Sequence, residues 1–186
     1  TAIFAFACSK DFLLEDPKGQ LTSEGFCKNK AELDMALAAL YGNLNSTNNT
    51  EYHTALMCGA DDLTTRPGSN KEPLRDYDMF VANKDANDNN RYQWGTYYSV
   101  VSSANFIIEN YELAVDETQE VRDQAAGQAY CLRAWAYLML TRLYNEIPLV
   151  ISTVADKAMP KSSSADVYKL IIDDLKKAEV MLPDQW

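Results

Sequence analysis

A single histidine, His53, stands in a chain of 186 residues, and that scarcity excludes much chemistry at the outset. A nucleophile that relies on an imidazole base has only this residue to use. No GxGxxG, P-loop, GxSxG or HExxH pattern accompanies it, so neither an enzyme nor a bound cofactor is expected. Cysteine is sparse too: Cys8, Cys27, Cys58 and Cys131 lie far apart and form no CxxC pair. Zinc sites need closely spaced thiols or histidines, so no metal centre is expected. Four thiols allow disulfides in an oxidising compartment, yet Cys58 and Cys131 fall on apolar helix faces and read as buried free thiols. Basic residues are outnumbered, 17 Lys and Arg against 27 Asp and Glu, for a net charge of −10. Binding nucleic acid needs clustered positive charge, so it is excluded as a partner. Beyond residue 8 no apolar run approaches the roughly 18 residues of a membrane-spanning helix. With only 7 Gly and 6 Pro, what remains is the composition of a globular domain.

The chain opens with TAIFAFACSKDFLLEDPKG. An apolar run that stops at small residues has the character of the late part of a secretory signal, which reads residues 1–7 as a signal remnant. The Ala7-Cys8 junction is similar to a bacterial lipobox, with Ala5 in place of the usual Leu, and marks Cys8 as the expected lipidation site. Residues 8–27 then read as a tether, since Asp11 and Asp16-Pro17 are poor helix material.

Helical periodicity dominates from residue 28 to 186. Asn29 with Glu32 three residues on predicts a capped first helix, with Leu33, Ala36, Leu37, Leu40, Tyr41 and Leu44 on its apolar face. A short helix is expected near residues 51–59. The stretch from Ala60 to Asn90 is dense in Asp, Asn, Pro and Gly; loops of that length are usually functional or disordered, and Leu74, Tyr77 and Phe80 favour an ordered one. Two long helices should follow, about Arg91 to Ala114 and about Glu117 to Tyr144, the second opened by Asp116. Their short connection predicts an antiparallel hairpin, with Ala125, Ala126, Ala129, Ala134 and Ala136 allowing close approach. Pro148 stops the second helix, LVIST runs extended, and a last helix opens at Ser163 or Ser164 and runs to Leu182. The class is all-α, with hairpins packed in the manner of tetratricopeptide (TPR) repeats but without that repeat's signature in register.

Five stretches together resemble the N-terminal part of the SusD/RagB family of outer-membrane nutrient-binding lipoproteins. They are CSKDFLLEDPKG, GADDLTT, WGTYYSVVSSANFIIENYE, AYCLRAWAYLMLTRLYNEIPLV and ADVYKLIIDDLKKAEVMLP. Arg133, Ala134, Tyr137, Leu140, Tyr144 and Pro148 fall where the family pattern places them, while Asn145-Glu146 replaces a frequent Gly-Asp. Family members are much longer, so the resemblance implies that these residues are part of a larger chain. It also implies a surface-exposed, lipid-anchored protein of the outer membrane. Such a protein captures oligosaccharide or peptide and passes it to a SusC-like TonB-dependent transporter. A TPR-type scaffold that binds a protein partner, without a ligand site of its own, is the alternative.

The expected ligand site is DANDNNRYQW. Sugar rings stack their CH faces on aromatic rings, and Asn or Asp side chains match their hydroxyls. Tyr92 and Trp94 beside Asp88, Asn89 and Asn90 supply both halves. For Trp94 the competing reading is a core residue of the long helix. Asp61, Asp62 and Arg66 form a second polar cluster, read alternatively as a capped turn or an ion pair. Asp85, Asn87 and Asn89 copy the first three ligand positions of an EF-hand loop. Asn90 and Thr96 then stand where it needs Gly and Glu, so calcium is not expected. Arg133, mid-helix in an apolar run, should be buried and paired with a carboxylate such as Glu109 or Asp173.

Overall fold

The computed structural model describes residues 26–48, 64, 66–68, 75, 78–80, 88–154, 156 and 158–185, with the backbone alone for 88–92. Cys8, the residue 1–7 remnant, the short helix expected near 51–59, Cys58, Asp61, Asp62, Leu74, Tyr77, Asp85 and Asn87 lie outside them. Four α-helices account for most of what is described: α1 Lys30–Thr47, α2 Asp88–Asn110, α3 Gln119–Tyr144 and α4 Ser164–Met181. A 3-10 turn, Tyr111–Leu113, closes α2. Among the described residues the one β feature is an isolated antiparallel bridge between Ile147 and Ser162.

The helix starts follow side-chain capping. Asn29 caps α1 by accepting from the Glu32 N–H, while the Glu32 carboxylate reaches back to the N–H of Lys28 rather than that of Asn29. Ser163 caps α4 by accepting from Asp166 N–H. For α3 the cap is Thr118, whose hydroxyl accepts from Val121 N–H, and not Asp116. Each such cap satisfies an amide that the first helical turn leaves without a carbonyl partner.

Helix α3 is the centre of the fold, packed against α1, α2 and α4. Trp94 near the start of α2 meets Tyr144 at the end of α3, and the Arg122 side chain donates to Ala114 carbonyl at the other end, so this hairpin is antiparallel. The same holds for α3 and α4, joined by the Ser164 hydroxyl donating to Asn145 Oδ1 at one end and by Gly127 against Leu182 at the other. Close approach depends on small residues. Ala125, Ala126, Ala129, Ala134 and Ala136 are all buried, and a Cβ on Gly127 would lie 2.9 Å from Leu182 Cγ and 3.1 Å from Met181 Cβ. Leu33, Ala36 and Leu40 of α1 are buried as the periodicity predicts. Tyr41, at the stripe's edge, is 44% exposed and donates to Gln128 Oε1 at 2.9 Å. Phe26 and Cys27, assigned by sequence to the tether, pack with the core; Cys27 is a free buried thiol, and burial pushes its pKa up to about 11. Cys131 is also free, but only half-buried.

Asn145 ends α3 with φ +65° and ψ −93°, its N–H bonded to Thr141 carbonyl. Asparagine is tolerated at positive φ mainly in the left-handed helical well, and a ψ of −93° lies outside it, so this backbone is strained for a side chain and glycine, frequent here in the family pattern, would carry less strain.

The segment after Pro148 is held by polar groups. Tyr98 donates to Pro148 carbonyl, Tyr137 to Val150 carbonyl, and Asn105 Nδ2 to the carbonyls of Val150 and Ser152. Burial raises the pKa values of both tyrosines, which stay neutral donors. Asn105 Oδ1 in turn accepts from Arg133 Nη1 at 2.7 Å, and Arg133 grips Asp174 through Nε and Nη2, each at 2.8 Å. The partner is therefore Asp174, and neither Asp173 nor Glu109: Asp173 is exposed, and Glu109 accepts from the Thr153 N–H and hydroxyl.

Burial alone would raise the Glu109 pKa, but hydrogen bonds from Thr153 and Ser152, with the Arg133 charge behind them, lower it below the ordinary 4.5. A carboxyl with a depressed folded pKa stabilises the fold above its unfolded pKa, and that contribution is lost as pH falls through the folded value. Glu109→Gln should therefore lower stability at pH 7, with the gap to wild type closing in acid. Urea melts at pH 7 and pH 3 check this; a gap that persists unchanged at pH 3 would refute the electrostatic origin.

Candidate functional site

The site candidates gather at the start of α2. This helix begins at Asp88, three positions ahead of the expected Arg91, so Asp88, Asn89 and Asn90 form its opening turn rather than the end of a loop. Successive residues on a helix are about 100° apart, so positions two apart do not share a face. Positions 92 and 94 therefore cannot act as side-by-side platforms. Position 94 is shared by Asn90, four residues earlier, and position 92 by Asp88.

Trp94 lies on the inward side of this division. Its ring is half-buried, 4.9 Å from Tyr98 between centroids and 5.0 Å from Tyr144, the latter edge-on. Both separations fall in the favourable range for aromatic pairs. An inner row continues through Tyr97 against Trp135 at 5.7 Å and Tyr98 against Tyr137 at 6.4 Å. Trp94 is thus mainly a packing residue that keeps one part of its ring at the surface. Position 92 falls in line with Gly95 and Ser99, three and seven residues on, and both are exposed. Between the two faces lies Gln93, 5% exposed, a buried polar residue that periodicity alone did not single out.

The second polar cluster is described only in part. Arg66 is exposed, while Asp61 and Asp62 lie outside the described residues. Nearby in sequence, Thr64 donates to Asp78 at 2.6 Å. Phe80, expected to help order the long loop, is instead 82% exposed at a positive φ of 51°. An exposed phenylalanine ring contributes nothing to a core, and it is the kind of surface that a sugar face can cover. Among the described residues there is no group of His, Cys, Asp or Glu arranged to hold a metal ion. No helix, also among those residues, is long and apolar enough to cross a membrane.

A SusD-like family profile, described as starch-binding associating with outer membrane, matches residues 11–186. A SusD-like protein, P2, from Formosa agariphila is 30% identical over 178 residues, covering 92% of this chain and 35% of that protein. A solved SusD superfamily protein from Bacteroides vulgatus superposes with a TM-score of 0.75 at 19% identity, covering 85% of this chain and 36% of that one. A solved laminarin-binding SusD-like protein gives a TM-score of 0.72 at 22% identity, covering 84% and 35%. The chain thus spans about a third of the length of the curated relative and the solved structures it matches. With a family match along nearly its whole length and the same helical packing, this chain belongs to the SusD-like family.

Proposed function

We propose that this chain is the helical N-terminal part of a glycan-binding protein of the outer membrane. The full-length protein captures oligosaccharide at the surface and hands it to a SusC-like TonB-dependent transporter, without making or breaking bonds. The observation that carries the reading is the family match over residues 11–186, in a family described as starch-binding. The laminarin-binding neighbour supports the same ligand class. In this reading Tyr92 is the outer platform for a sugar ring. Asp88, Asn89 and Asn90 meet hydroxyls at the opening turn, and the free part of Trp94 lines the inner side. Asp61, Asp62 and Arg66 supply a second polar contact. Cys8 carries the lipid, residues 1–7 are a signal remnant, and residues 8–27 lead from the bilayer to the body.

A panel of soluble glucans and hemicellulose fragments, titrated calorimetrically into the full-length protein, tests the ligand class. Saturable binding of at least one oligosaccharide is expected. Heat from no glycan in the panel, with binding of a peptide instead, would replace the ligand assignment. Anchoring is tested separately by metabolic labelling with a tagged fatty acid. The label should mark wild type and vanish in Cys8→Ala, and a labelled variant would overturn the anchor. One acyl chain gives only marginal retention at about 0.8 kcal/mol per buried methylene, so more than one chain is expected.

A further inference from the structure

Asn145 is held in its strained conformation from three directions. Its N–H donates to the Thr141 carbonyl at 2.9 Å, its carbonyl accepts from the Thr141 hydroxyl at 2.8 Å, and its Oδ1 accepts from the Ser164 hydroxyl at 2.6 Å. The side-chain Nδ2 is the exception. Among the described residues nothing accepts from it, and Asn145 is exposed. Glycine would form the two backbone bonds to Thr141 equally well, at less strain. What glycine could not supply is the amide. That amide's one bond, to Ser164, is exposed and is worth less than the strain of a side chain at this backbone. Strain of this kind collects where a side chain is put to use.

The neighbours define the use. Asn145 directly follows Tyr144, whose ring meets Trp94 edge-on at 5.0 Å, and Trp94 keeps part of its ring at the surface. Glu146 comes next. Its carboxylate is exposed and pairs with Lys161 at 3.4 Å, a loose and solvent-screened contact that leaves room for other donors. An aromatic face, an amide donor and a carboxylate acceptor in succession match the CH face and the hydroxyls of a sugar.

We infer that Asn145 is a ligand contact: its Nδ2 donates to a hydroxyl of an oligosaccharide lying across the ends of α2 and α3, from Trp94 to Glu146. The Glu146 carboxylate accepts from a neighbouring hydroxyl. The ligand class rests on the function proposed above, whereas the position rests on the strain and on the unbonded amide. Ser164 fixes that amide in advance, so little side-chain freedom is lost on binding. A chain with the frequent Gly-Asp at these positions lacks the donor, which makes Asn145 a specificity-determining residue.

The test titrates the soluble glucans and hemicellulose fragments of the panel into full-length wild type, Asn145→Gly and Asn145→Asp, with melting curves on the same samples. Asn145→Gly should melt at the wild-type temperature or above it, because the strain is relieved. It should nevertheless bind about tenfold more weakly, the loss expected for one hydrogen bond. Asn145→Asp keeps an oxygen for Ser164 but has no N–H to donate, so it should keep its fold and lose affinity to a similar degree. A purely structural role predicts the reverse, a lower melting temperature in Asn145→Gly with affinity unchanged. Full affinity in either variant overturns the inference and leaves the proposed ligand class standing. If Asn145→Gly melts lower and also binds more weakly, the Asn145→Asp titration decides alone. If wild type binds no glycan of the panel, the ligand class fails and this contact fails with it.

Discussion

Asp174→Ala should cost about 3–5 kcal/mol of folding stability, because it strips the counter-ion from a guanidinium that has no route to water. Arg133 and Asp174 are 5% and 0% exposed in their side chains, joined by two hydrogen bonds of 2.8 Å. The fork geometry makes the pair strong once formed, and leaving one buried charge alone costs far more than the pair gains over a neutral core. The damage should also spread. Arg133 orients Asn105, and Asn105 holds the carbonyls of Val150 and Ser152. A double variant, Arg133→Met with Asp174→Leu, removes both charges and should recover much of the loss. It should not recover all of it, because Asn105 Oδ1 is then left unsatisfied. Urea denaturation of the two single variants and the double variant gives the coupling directly. Additive losses would mean that the pair does not act as a unit.

This network shows where sequence reading succeeds and where it stops. That Arg133 is buried and paired was legible, because a charged residue within an apolar helical run has few other ways to exist. The partner was not: Asp173 and Asp174 are neighbours in sequence but about 100° apart on α4, and only the packing of α3 against α4 decides which faces inward. The same limit explains Thr118 and Asp116. Both residue types cap helices well, and a single side-chain bond to Val121 N–H selects between them. Faces of long helices were legible because their periodicity is redundant, as the five buried alanines of α3 and α2–α3 pairing illustrate. At the start of α2 the exact beginning of the helix was not legible. The helix expected from Arg91 already carried Tyr92 and Trp94, but it left Asp88, Asn89 and Asn90 in the loop before it. A helix beginning at Asp88 takes those three residues into its opening turn.

Trp94→Ala should destabilise the chain by about 3 kcal/mol, at the lower end of the range for aromatic truncation in cores. The ring packs on Tyr98 and Tyr144 at the open end of the α2–α3 hairpin, and each such aromatic pair adds about 0.5–1.5 kcal/mol beyond area burial. Its partial exposure keeps the cost below that of a fully enclosed tryptophan. Trp94→Phe, which retains one ring, should lose about half as much. Thermal and urea melts of both variants check this, and a loss below about 1 kcal/mol for Trp94→Ala would make Trp94 a surface residue instead. The consequence for ligand studies is direct: weakened binding in Trp94→Ala mixes a lost contact with a disturbed hairpin end.

Position 92 is free of that confusion, since it lines up with exposed Gly95 and Ser99 rather than with the inner aromatic row. The start of α2 is the proposed site for oligosaccharide. The most direct test is calorimetric titration of a glucan oligosaccharide into the full-length protein and its Tyr92→Ala variant, with melting curves on the same samples. Saturable binding by wild type and an affinity about tenfold lower in the variant, equivalent to about 1.4 kcal/mol, at unchanged melting temperature, is the predicted result. Equal affinity in the two proteins would contradict it and remove the start of α2 from the binding site.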